Sequence, residues 1–155
     1  MLSYNDKINR VHYVYYYRNE FLTADLKMQL ITKGRTIDTV SKAEIKVTQL
    51  SGGDRQMAKP PLVINKAFAV YGNLVFIKSK RIGRFEDEKM LGDASILDVY
   101  NLKNGSYISS MYLYHIKGNE MTSFKVAADR VYTISGRYLS VVKLPKKIMD
   151  TYSIK

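Results

Sequence analysis

Three observations make this an all-β chain of antiparallel, four-stranded, blade-like repeats. Its aromatic content is dominated by Tyr, 13 residues against 5 Phe and no Trp, and aromatic and β-branched side chains suit half-buried strands. Gly72-Asn73 and Asn104-Gly105 each separate two apolar runs, where residues that accept positive φ close tight hairpins. Finally, Phe124–Tyr132 lies over Phe68–Phe76 without a gap. Phe, Val, a turn residue, Val and an aromatic recur in order.

The elements follow along the chain. Arg10–Tyr17 alternates, with Val11, Tyr13, Tyr15 and Tyr17 on one face and His12, Val14 and Tyr16 on the other. After a break at Arg18-Asn19 comes Phe21–Ala24, a turn near Asp25–Met28, and a third strand over Gln29–Ile31 or further toward Ile37. Phe68–Val70 and Leu74–Ile77 flank the first Gly-Asn turn. Ser95–Tyr100 and Tyr107–Leu113 flank Asn101–Gly105. Tyr138–Val142 echoes both Ile96–Tyr100 and Phe21–Asp25. A repeated four-strand unit spaced somewhat above the ~40–50 residues of a propeller blade is the sequence sign of that architecture, the excess lying in one long loop, Lys80–Asp93. Blade-like units are expected over about 8–38, 66–114 and 122–145 of a single domain covering 1–155. The tail Ile148–Lys155 is expected to supply a missing strand, its alternation being imperfect.

Composition removes several chemistries. With no Cys, disulfides, thiolate metal sites and a Cys nucleophile are absent. The two histidines, His12 and His115, lack metal-ligand spacing. His12 reads as a packed strand residue and His115 as a hydrogen-bonded residue at a strand end. Glu86-Asp87-Glu88 with Asp93 reads as a solvated acidic loop tip. Ser51-Gly52-Gly53-Asp54 lacks the Lys-Ser/Thr ending of a phosphate loop and reads as a turn. No Gly-x-Ser-x-Gly elbow occurs. The formal charge of +11 is spread along the chain, which argues against a concentrated nucleic-acid patch. No signal peptide is visible in Met1–Lys7, and no run approaches the ~20 apolar residues of a membrane span.

The unit Phe124–Ile134 with Tyr138–Leu144, and the segment Ile96–Tyr107, resemble blades of TolB-like six-bladed β-propellers of the Bacteroidetes type. The likeness covers most of residues 8–145, and its motifs are structural. It implies about half of a six-bladed β-propeller, with one full blade and most of two others. It further implies either the C-terminal half of a longer protein or a chain that pairs to close a ring. Exposed strand edges at either end make self-association or a missing half the expected partner. The resemblance also implies an exported protein if the full-length chain carries a signal peptide.

Consecutive strands of a blade run antiparallel, so connections alternate between two ends. Gly72-Asn73, Ala128-Asp129, the turn near Lys27 and Asn104-Gly105 fall at one end. Arg18-Asn19, Thr39–Asn65, Lys80–Asp93, His115–Met121 and Gly136-Arg137 fall at the other. Function concentrates on long loops held by a rigid scaffold. The candidate ligand-binding residues are therefore Arg18, Arg81, Arg84, His115 and Arg137, with forked donors for a carboxylate or phosphate. No cofactor and no catalytic residue is expected. The expected role is a non-catalytic ligand- or protein-binding scaffold. Its alternatives are a fragment of a Ca2+-dependent propeller hydrolase or lactonase, or a basic nucleic-acid-binding module. The Tyr13, Tyr15 and Tyr17 ladder is expected to pack between blades.

Overall fold

The computed structural model describes residues 1–83 and 86–152. Its strands are β1 (Leu2–Asn5), β2 (Arg10–Val14), β3 (Glu20–Ala24), β4 (Leu30–Arg35), β5 (Val47–Gln49), β6 (Arg55–Met57), β7 (Asn65–Tyr71), β8 (Leu74–Ser79), β9 (Ala94–Asn101), β10 (Tyr107–Tyr114), β11 (Met121–Ala127), β12 (Arg130–Ser135) and β13 (Tyr138–Lys143). Two helical turns, α1 (Met90–Asp93) and α2 (Lys146–Met149), complete it. The strands form four antiparallel sheets, β1-β2-β3-β4, β7-β8-β9-β10, β11-β12-β13 and β5-β6. The fold is all-β and loosely repeating. Among the described residues no helix is long and apolar enough to cross a membrane.

The repeat read from the sequence is a repeat of pairing. Phe68 faces Ile77 and Val70 faces Val75 across β7–β8; Phe124 faces Thr133 and Val126 faces Val131 across β11–β12. Both turns place their first residue at positive φ, Gly72 at 56° and Ala128 at 52°. The Leu102 N–H donates to Asn73 O, and the Leu144 N–H donates to Asp129 O, each at 2.7 Å. A gapless sequence repeat thus becomes one register used twice.

Alternation along the strands then stacks the sheets. Leu74, Phe76, Leu97 and Val99 join Met121, Phe124 and Val131 in one core between the second and third sheets. Val75, Ile77 and Tyr100 turn the other way and meet Val14 and Phe21 of the first sheet. Every residue of β8 and all but the last of β9 is buried, because these strands are covered on both faces. Such strands read as continuous apolar runs. The first strands of the meanders converge: β7 lies against both β1 and β11.

Four local features differ from expectation. The first meander gains a strand, Leu2–Asn5, paired with β2 from Leu2↔Tyr13 to Asn5↔Arg10; its four residues alternate apolar and polar over too short a run to stand out. The second strand stops at Val14, where the Tyr15 N–H donates to Glu20 O and closes the loop. Tyr13 and Tyr17 are therefore exposed and do not pack between sheets, while the Tyr13 and Tyr15 rings meet edge-on at 4.7 Å. Thr39–Asn65 holds a small hairpin, β5–β6, with Gly53 at φ 87° in its turn. The tail is not a strand through Tyr152. It turns as α2, buries Ile148 completely and stacks Tyr152 on Tyr71 at 4.5 Å, so apolar anchors at i, i+1 and i+4 decided its shape.

Candidate functional site

The long connections meet at one end of the sheets, as the meander topology requires. The Asn19 N–H donates to Val40 O at 2.8 Å, and its side-chain amide donates to Asp38 O. The Arg81 Nε lies 3.0 Å from Asp38 Oδ2. The His115 N–H donates to Asp93 O at 2.7 Å. Lys117 Nζ sits 5.4 Å from the centre of the Tyr138 ring. The loops are laced to their neighbours in turn.

At this end a cavity of about 410 Å3 opens, with Asp38, Arg81, Glu86, Asp98, Tyr107 and Ser110 in its wall. Strand alternation sends Asp98 to the same side as Ile96 and Tyr100, toward the first sheet. Asp98 is 3% exposed. Ser110 Oγ donates to its Oδ1 at 2.5 Å, and the Tyr107 hydroxyl is 2.8 Å from the same Ser110 Oγ. Burial pushes the Asp98 carboxyl up to about 6, against the Ser110 hydrogen bond and with help from the Glu86 and Asp38 carboxylates. Glu86 accepts from the Gly83 N–H at 3.0 Å and from the Tyr112 hydroxyl. It is a bonded wall residue, not part of a solvated acidic tip. Among the described residues Arg81 is the one arginine of the wall and is already paired with Asp38, so that wall suits hydroxyl or ammonium donors better than anions.

The residues selected from sequence are dispersed around this end. Arg18 lies over the Tyr15 ring at 3.6 Å, with its Nε 3.2 Å from Glu20 Oε2. Arg81 lines the cavity. Arg84 lies outside the described residues. His115 is half-buried directly after β10, and its Nε2 has no hydrogen-bond partner among the described residues. Arg137 is exposed in the β12–β13 turn. Of the four described, Arg81 alone forms part of the cavity wall.

Sequence reasoning passed over Asp98 and Lys78. Lys78 is 2% exposed, with Nζ 2.8 Å from Glu120 Oε1 and donating to Met121 O. Lys66 and Lys80 reach the same carboxylate oxygen at 3.2 and 3.0 Å. Burial alone would raise the Glu120 pKa, but bonds from Lys78, Lys80 and Lys66 win and hold it at about 2. Burial lowers the Lys78 ammonium, with Glu120 opposing. The available signal was a lone charge inside an apolar strand, Asp98 in Ser95–Tyr100 and Lys78 after Leu74–Ile77. Among the described residues no group of three or more His, Asp or Glu is placed to hold a metal ion.

No protein-family model matches the chain, and no curated protein matches it. A solved structure titled Kluyveromyces lactis Hsv2 is similar over 95% of this chain and 62% of that chain, at 11% sequence identity and a TM-score of 0.28. The chain thus spans under two thirds of that protein's length, and a likeness at this score carries no argument about fold or function.

Proposed function

We propose that the chain is a non-catalytic binding scaffold whose three stacked meanders act as consecutive blades of a β-propeller, and that a second copy supplies the blades that complete the ring. The observation behind this is the apolar character of both outer faces of the stack. Leu2, Tyr4, Tyr13 and Leu30 are exposed on the first sheet, and Tyr132, Ile134, Leu139 and Val141 on the third. The outer meanders each bury one face against the middle one, whereas their other faces stand in solvent. Exposed apolar patches of this kind mark interaction sites. The first strands converge on β7, as the inner strands of blades do. The outer faces are alike in chemistry, so the leading face of one copy suits the trailing face of another, a head-to-tail contact that closes only if the rotation does.

Sedimentation equilibrium tests this. Self-association is expected, strengthened by added salt, because the +11 charge of each copy repels the other until screened. Leu139→Asp with Val141→Asp should yield a folded monomer. A wild-type chain that stays monomeric at low and high salt overturns the pairing. The laced loop end, with its cavity, is the surface such a ring would offer to a ligand or protein partner. A calcium-dependent change in melting temperature would instead favour a propeller hydrolase.

A further inference from the structure

The opposite end of the sheets holds a second cavity, of about 480 Å3, between the first meander and the short turns of the second. Strand β2 contributes Arg10 and His12, β3 contributes Thr23, and the turn after β9 contributes Leu102 and Lys103. His12 is 1% exposed. Its Nδ1 lies 3.0 Å from Thr23 Oγ1 across the strand pair, while the distal Nε2 is buried without a partner among the described residues. A buried polar atom left unbonded costs free energy and calls for an explanation.

The charges in the wall are of one sign. Among the described residues Arg10, His12 and Lys103 are its titratable groups, and no Asp or Glu contributes. Neither cation has a carboxylate within ion-pair distance among the described residues; Arg10 makes only a long bond to Asn9 O, at 3.4 Å. Ile8, Ile31 and Leu102 supply the apolar part of the wall.

We propose that this cavity binds a small organic oxyanion, its charged group held by Arg10, Lys103 and the Nε2 of His12 and its apolar stem against Ile8, Ile31 and Leu102. The proton arrangement fits. With the Thr23 hydroxyl donating to Nδ1, the neutral imidazole presents an Nε2–H to the ligand oxygen. Burial first, and the Arg10 charge second, lower the His12 pKa to about 4, so the ring is neutral at pH 7 and an incoming anion raises that value. The site does not depend on ring closure, because every residue in its wall belongs to this chain.

The chain has two histidines, which makes the test direct. Imidazole proton resonances are followed by NMR at pH 7 while hexanoate, hexyl phosphate, inorganic phosphate or hexyltrimethylammonium is titrated in. The His12 signal, assigned by its loss in His12→Gln, should shift saturably with hexanoate or hexyl phosphate while His115 stays fixed. Arg10→Gln with Lys103→Gln should weaken binding at least tenfold at unchanged melting temperature. Saturation by only one of the two hexyl probes would identify which oxyanion the site takes. Equal affinity for the hexyl cation, or for inorganic phosphate, would overturn the proposal. So would equal shifts of both histidines, or none.

Discussion

Ala128 occupies the left-handed region at φ 52°, where a residue with a Cβ is strained by about 1–3 kcal/mol. Its counterpart in the preceding meander is Gly72. Ala128→Gly should therefore stabilise the chain by about 1 kcal/mol, read as a higher urea midpoint at unchanged slope; a lower midpoint would mean the turn is not strained. Two buried groups give opposite pH dependence. The Asp98 pKa is raised to about 6, so the folded state holds its proton longer than the unfolded state does, and stability falls as pH rises from about 4 to about 6. The His12 pKa is lowered to about 4, so stability is fully present above the unfolded value near 6.5 and is lost as pH falls toward 4. Melting temperatures across this window should rise with pH in Asp98→Asn and fall with pH in His12→Gln. Parallel profiles would contradict both assignments. At the lysine cluster, Glu120→Gln leaves the buried Lys78 ammonium with Met121 O alone and should cost about 2 kcal/mol, recovered in part by adding Lys78→Met; no recovery in the thermal midpoint would place the cost elsewhere.

Elements show which features a linear pattern can carry. The hairpins around Gly72-Asn73, Ala128-Asp129 and Asn104-Gly105 were readable because turn residues and apolar alternation are local signals, and the structure pairs the flanking strands antiparallel at all three. The strand Leu2–Asn5 was not, since it is held by pairing to β2 and not by apolar side chains of its own. The turn of helix at Lys146–Met149 was equally hidden, because it exists to bury Ile148 under sheets distant in sequence. The candidate residues divide the same way. Chain direction alone put Arg18, Arg81, His115 and Arg137 on connections at one end, but their separation there depends on loop paths that spacing does not encode. Gly34 is a further case. It faces Phe21 across β3–β4, and a Cβ there would stand 2.1 Å from the Phe21 ring. Gly34→Ala should therefore cost about 1–3 kcal/mol through overpacking, while Arg35→Ala, at the exposed end of the same strand, costs little; equal effects in chemical denaturation would deny the close approach.

For the molecule as a whole, one sheet is sandwiched between two others, and the outer two are left half-covered. Burial is therefore graded: complete in β8 and nearly so in β9, alternating in β12 and β13, and absent in β5 and β6. That gradient should govern local opening, since amide exchange tracks the buried packing around a strand. Native-state hydrogen exchange, resolved by residue, is the most direct measurement of the stack. Amides of β8 and β9 are expected to exchange last and together, only through global unfolding, with β12–β13 faster and the β5–β6 hairpin fastest. Protection in β8 and β9 no greater than in β5 and β6 would contradict the three-layer arrangement on which the rest depends.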